Sequence, residues 1–211
     1  MKLYGYFRSS ATYRVRIALN LKGIPHTSAP VHLVRGEQFE SGYRLLNPQS
    51  VVPTLDDHET ILTQSLAIME YLEETHPRPP LLPADAPGRA RVRGLSLAIA
   101  CEIHPLNNLR VLNRLRDMGL SEDERTAWYR HWVAEGLGAV EAMLAGQDAT
   151  GRYCHGEQPT MADCCLVPQL YNARRLGCDL APYPTVGRID AACGELAAFR
   201  AAEPARQPDA E

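Results

Sequence analysis

Residues 7–23 read FRSSATYRVRIALNLKG. Val15, Ile17, Ala18, Leu19 and Leu21 recur at helical spacing and Gly23 supplies a stop, so the stretch predicts an amphipathic helix. Ser9, Ser10 and Thr12 stand at its mouth, where any one of them suffices as an N-cap. A single cap is needed and three hydroxyls are offered, with Arg8 beside them, which makes the mouth a candidate for chemistry as well. MKLYGYF (1–7) and HTSAPVHLV (26–34) read as strands on either side, so the opening is a β-α-β unit with a right-handed crossover to a parallel strand. VPTLDD (52–57) and TILTQ (60–64) are two more strands. SLAIMEYLEETHP (65–77) is a helix capped by Ser65 and stopped by Pro77.

PRPPLLPADAPG (77–88) is too rich in proline to continue either kind of element and marks a boundary. Beyond it, Arg89 to about Gly119, Ser121 to Ala145, Thr160 to Leu176 and Pro184 to Ala202 are rich in alanine and leucine at helical spacing, with no convincing strand. The expected organisation is an α/β domain over residues 1–83 and an all-α domain over residues 84–211, with only EPARQPDAE (203–211) disordered.

A chain of 211 residues that is 45% hydrophobic and 22% charged has enough apolar material for a sizeable core. Its net charge of −3 argues against nucleic acid or an anionic membrane surface as a partner. Lys2 and Lys22 are the only lysines, so arginine carries nearly all the positive charge and a single Arg has little weight as a signal. No apolar run is long enough to span a membrane, and MKLYGYFRSS lacks the apolar region of a signal peptide, so the expected location is the cytoplasm. Cys101, Cys154, Cys164, Cys165, Cys178 and Cys193 show neither a CxxC pair nor zinc spacing and read as small buried hydrophobes. The histidines are scattered, and no metal site is expected.

Three junctions bear on function. Val52 precedes Pro53 at a strand entry, where the peptide bond can be cis; its N–H and C=O would then be free to pair with an extended peptide, although a plain strand-entry proline reads the same way. Gln64 and Ser65 lie at a strand-to-helix junction, whose unpaired donors suit a carboxylate as well as a cap. At the first mouth, a hydroxyl and the helix N-terminus together would stabilise a thiolate. Lowering a thiol from pKa ~8.5 by about two units takes roughly 2.7 kcal/mol, within reach of one charge-assisted hydrogen bond and a helix dipole.

With SS before the first helix, VP before the third strand, QS before the next helix and a helical half to follow, the chain resembles the cytosolic glutathione transferases. RSSATYRVRIALNLKG is similar to the signature of their zeta class, and QSLAIMEYLEE, LLPAD, IHPLNNLRVL and TMADCCLVPQ follow in that class's order. The resemblance implies a thioredoxin-like N-terminal domain, an all-α C-terminal domain and glutathione as cofactor. Gln38, the Val52 backbone, Pro53, Gln64 and Ser65 would hold the tripeptide, with its thiol near Ser9 and Ser10. His104 and Asn108 match second-domain positions that reach glutathione, and their i, i+4 spacing would put them on one helix face. The class usually has cysteine after the two serines, where this chain has Ala11, so no protein thiol is expected beside glutathione. The family also implies a homodimer.

The implied reaction is the glutathione-dependent cis–trans isomerisation of maleylpyruvate or maleylacetoacetate, diketo acids with a carboxylate at each end. Such a dianion asks for cations, and arginine binds carboxylates bidentately. Arg8 is the first candidate, Arg175 stands at the family position expected to face substrate, and Arg174 reads as a solvated charge. Arg110 is an added cation suited to the distal carboxylate; on a regular helix it would lie about 160° from Asn108 unless Pro105 distorts the turn. Thr160 and Asp163 read as a capping box. Two alternatives remain: a general glutathione-conjugating transferase with an open apolar electrophile site, and a non-enzymatic interaction module that binds no glutathione.

Overall fold

A computed structural model describes residues 1–58 and 60–211. The chain forms two compact units, Met1–Leu81 together with Gly194–Glu211, and Leu82–Cys193. The first is built on four strands, β1 (Lys2–Gly5), β2 (Thr27–Pro30), β3 (Thr54–Asp57) and β4 (Thr60–Thr63), in the order β2-β1-β3-β4. β1 and β2 are parallel, with Leu3 opposite Ser28, and they are joined by helix α1 (Ser10–Leu21). β3 runs antiparallel to β1 and to β4. Helix α3 (Ser65–Thr75) follows β4, and Leu3, Val15, Ile17, Leu55, Ile68, Met69 and Leu72 are buried at the centre of the unit. A short helix, α2 (Ser41–Leu46), lies between β2 and β3, where sequence periodicity predicts none.

Close approach of α1 to β1 depends on Gly5, since a Cβ there would overlap Cγ2 of Thr12. Gly5→Ala is therefore expected to cost about 1–2 kcal/mol by overpacking, read from the denaturant midpoint. Lys22, buried at the end of α1, donates to Glu73 at 2.8 Å and to the carbonyls of His76 and Pro79, while Glu73 also accepts the Leu81 N–H. These bonds fasten the start of the proline-rich stretch to the sheet unit.

The segment expected to be disordered is ordered. After α9 (Ala197–Ala202) the chain makes a 3₁₀ turn at Pro204–Arg206, and its side chains return to the sheet unit, Asp209 to Phe7 and Glu211 to His32 and Arg35. Its polar composition hid this, because the bonds are made to residues about 180–200 positions away.

The second unit has no strand among the described residues. Its helices are α4 (Ala86–Leu97), α5 (Leu109–Asp117), α6 (Glu122–Leu144), α7 (Met161–Arg175) and α8 (Pro184–Gly194). Val92, Leu95, Ile103, Val133, Leu137, Leu166, Leu170 and Ile189 fill its core. α7 starts as the capping box predicts, with Asp163 accepting both the amide and the hydroxyl of Thr160. Between α4 and α5 the helix is irregular: Ala98–Ile103 winds as a π-helix, with the His104 amide bonded to the carbonyl of Ile99, and Pro105–Asn107 is a 3₁₀ turn. Pro105 has no N–H to continue the ladder. Gly136 on α6 admits Ile103, whose side chain would overlap a Cβ at that position. Cys154, Cys164, Cys165 and Cys193 are buried as expected, whereas Cys101 is exposed and Cys178 half-buried.

Candidate active site

The mouth of α1 divides its hydroxyls between two states. Ser9 is the N-cap, in extended conformation, and accepts the Thr12 N–H at 3.2 Å. Its own hydroxyl proton is left to donate outwards, and accepting the amide polarises that O–H. Ser10 is 4% exposed and its oxygen has no hydrogen-bond partner among the described residues. Arg8, half-buried, donates Nη2 to the Tyr6 hydroxyl at 2.9 Å, with its guanidinium 4.9 Å from the centre of the Phe7 ring.

Val52 is 7% exposed and packs with Tyr6, Phe7, Val31 and Tyr43, so one apolar cluster supports both the Arg8 loop and the entry to β3. The Val52–Pro53 bond is cis. The Tyr43 hydroxyl and Asn47 Nδ2 both bond the carbonyl of Val51, at 2.7 and 2.8 Å, which fixes the turn before it. The ladder of β3 starts at Thr54, leaving the Val52 amide and carbonyl outside it.

Gln64, with φ 68°, turns the chain from β4 into α3 and donates Nε2 to Gln49 at 2.7 Å. Gln64, and not Ser65, is the N-cap residue, and its side chain makes no cap bond. The Ser65 hydroxyl instead accepts from Nη1 of Arg14 at 3.3 Å. Arg14 is 1% exposed, so a buried cation competes for the oxygen that a cap would use. This contact brings the first helix and the QS junction together. Gln38, in the 3₁₀ turn Glu37–Phe39, is buried; its Nε2 donates to the Leu33 carbonyl, and its Oε1 has no partner among the described residues.

In the helical unit the one-face placement of His104 and Asn108 does not hold. His104 ends the π-helix, whereas Asn108 has extended backbone and caps α5, accepting the Val111 N–H at 3.1 Å. The break also removes the 160° conflict, because Asn108 and Arg110 do not belong to one regular helix. Arg110 is exposed in the first turn of α5, a helix with no fully buried residue, and has no partner among the described residues. A cation there opposes the helix dipole, so folding does not favour it. On α7, Arg174 pairs with Asp190, whereas the neighbouring Arg175 has no hydrogen-bond or ion-pair partner among the described residues. Burial pushes the Tyr129 phenol on α6 up to about 12, with the charge of Arg175 acting in the opposite direction.

Residues 3–80 match the glutathione S-transferase N-terminal domain family, and residues 123–204 match the glutathione S-transferase C-terminal domain family. Maleylpyruvate isomerase of Ralstonia sp. is 52% identical over 210 residues, 99% of each chain. The chain belongs to the glutathione S-transferase family. Among solved structures of that family, a maleylpyruvate isomerase described as a bacterial zeta-class transferase superposes with TM-score 0.98 at 51% identity, covering all of both chains. A maleylacetoacetate isomerase from Methylobacterium extorquens AM1, solved with malonate and glutathione, superposes with TM-score 0.97 at 42% identity, again over all of both chains. These relatives put the protein in the zeta class of the transferases, with the thioredoxin-like and helical domains of that fold.

Within this transferase fold three residues near the candidate site escaped sequence reasoning. Arg14 reads as a solvated helix charge, and only its burial against Ser65 reveals it. Gln49 carries no local signal beyond a turn, and Tyr6 reads as a strand-end aromatic whose hydroxyl has no predictable partner.

Proposed function

We propose that the protein is a glutathione-dependent cis–trans isomerase of a maleyl diketo acid, acting on maleylpyruvate or maleylacetoacetate to form the fumaryl isomer. The observation that carries the reading is the pair of serines at the α1 mouth. One hydroxyl caps the helix with its proton free, the other is a buried orphan, and Arg8 adjoins them. The relatives named isomerases over their full length support the same chemistry.

The residues present fit glutathione. The orphaned Ser10 oxygen gains a partner, the Val52 backbone offers both a donor and an acceptor outside the ladder, and the N-terminus of α3 at Gln64 and Ser65 offers unpaired amides to a carboxylate. Gln38, Pro53, His104 and Asn108 belong to the same binding set. Bound glutathione supplies a thiolate that adds reversibly to the cis double bond, so that rotation and expulsion yield the trans isomer and leave the tripeptide unchanged. Ser9 donates to the sulfur and holds it ionised, with the dipole of α1 in support. Arg8, Arg110 and Arg175 hold the substrate carboxylates and oppose the enolate charge that grows in the transition state. None of these steps uses a side-chain thiol, so Ala11 costs nothing.

In this reading residues 1–83 bind glutathione and residues 84–211 bind substrate, with the last segment serving the first unit. The protein works in the cytoplasm as a homodimer, and sedimentation at the mass of two 23.4 kDa chains is the expected result. No helix among the described residues is long and apolar enough to cross a membrane. The function is tested by comparing, on one preparation, isomerisation of both maleyl acids with conjugation of an aryl halide. Isomerisation is expected to dominate. Faster conjugation would favour a general transferase, and absence of glutathione binding in a calorimeter would favour an interaction module.

A further inference from the structure

The tail of the sheet unit converges on the residue before Arg8. Asp209 Oδ2 accepts the Phe7 N–H at 2.9 Å, and Arg16, buried on α1, donates Nη2 to the Phe7 carbonyl at 2.9 Å. Each of the two planar peptides flanking Phe7 is therefore gripped by a charge-assisted bond, one from α1 and one from the tail. The dihedral angles of Phe7, and with them the placement of Arg8, follow. Arg16 also donates Nε to the Ala202 carbonyl at 3.0 Å, so the same guanidinium ties α9 to this loop.

The Arg8 side chain is held by the groups the tail supports. It donates to the Tyr6 hydroxyl at 2.9 Å and lies over the Phe7 and Tyr6 rings, 4.9 and 5.7 Å from their centres. Tyr6 packs on His32, with ring centres 5.0 Å apart. His32 accepts the Arg35 N–H on Nδ1, which leaves its proton on Nε2 to donate to Glu211 at 2.9 Å. The chain is already anchored before the tail begins, since α9 packs along α1 and Asn20 bonds the Ala198 carbonyl at 3.0 Å. Of the tail's own polar contacts, Asp209 acts directly on Phe7, while Glu211 bonds Arg35 and His32, the ring on which Tyr6 packs.

We propose that Asp209 is a positioning residue for Arg8, so that the aim of a substrate-binding cation is set by the end of the tail; the inference rests on the reading of Arg8 as a carboxylate ligand. A mobile Arg8 would still be charged and would still attract a dianion, but it would lose the fixed fork that favours bidentate binding. Asp209→Ala is then expected to lower kcat/KM for maleylpyruvate, and to raise the Kd of malonate measured by calorimetry with glutathione present, each by roughly 5- to 20-fold, while the Kd of glutathione changes less than about 2-fold. Asp209→Asn keeps a carbonyl acceptor for the Phe7 amide and should recover most of the loss.

The deciding comparison places Asp209→Ala in an Arg8→Ala background. If the tail acts through Arg8, the second substitution adds no further loss of malonate affinity. An equal loss in both backgrounds, or wild-type affinity in Asp209→Ala, overturns the proposal and leaves the Arg8 reading intact. Wild-type malonate affinity in Arg8→Ala alone overturns the Arg8 reading as well. Should Asp209→Ala fail to fold, Asp209→Ser, which also withdraws the carboxylate from the Phe7 amide, takes its place in the same cycle with the same two outcomes.

Discussion

Arg110→Ala is expected to lose about 2–4 kcal/mol of transition-state stabilisation for the diacid, a fall in kcat/KM of roughly 30- to 1,000-fold, with glutathione affinity nearly unchanged. The expectation rests on where the residue stands. Arg110 is in the first turn of α5, which contains no acidic residue, and it is exposed without a partner among the described residues. A cation at a helix N-terminus costs some tenths of a kcal/mol, so a purely structural role would favour its removal. If Arg110 serves the distal carboxylate, its guanidinium and the dipole of α5 act together on the anion. Arg116, in the last turn of α5 and paired with the adjacent Asp117, is the control: its substitution should leave kcat/KM within about 2-fold. A loss as large with a substrate analogue lacking the distal carboxylate would remove Arg110 from the site.

Ser9→Ala is expected to raise the pKa of bound glutathione by about two units, equivalent to roughly 2.7 kcal/mol, and to cut kcat/KM at neutral pH by roughly 30-fold. The sign follows from the ionised form being the nucleophile. With the thiol held near pKa ~6.5 most of it is thiolate at pH 7; returned to ~8.5 it is mostly protonated, and activity rises with pH across that interval. Ser9 also caps α1, so alanine should cost about 1 kcal/mol of stability. Glycine, a fair N-cap, separates the two effects, because Ser9→Gly should move the thiol as far at only a few tenths of a kcal/mol. Threonine retains both cap and donor and should restore activity. Replacing Ser10 as well tests whether the buried orphan adds a second donor. An unchanged ultraviolet titration of bound glutathione in the double variant would end the account of the α1 mouth.

Legibility in the sequence followed the range of the forces involved. β1, α1, β2, β3, β4 and α3 were predictable because alternation, helical spacing and the punctuation of Gly23, Pro53 and Pro77 are local. α2 was not, since six residues with Leu45 fully outward carry no periodic face. The split near His104 was half legible. Pro105 announces a disturbance, but the last residue of the π-helix before it, Ile103, fits against Gly136 on another helix, a contact no local pattern shows. Ser65 was misread as a cap because the competitor for its hydroxyl, Arg14, comes from a helix fifty residues earlier and looks like a surface charge in isolation. The tail was misread for the same reason, its partners being at the other end of the chain.

The most direct test supplies purified protein with maleylpyruvate and with glutathione at a small fraction of the substrate concentration, and follows both. Complete conversion to the fumaryl isomer, with all the glutathione recovered as free thiol, is the result predicted for a cofactor that is released after each turnover. Consumption of glutathione mole for mole in an adduct, or no isomerisation beyond that of glutathione alone, would contradict it.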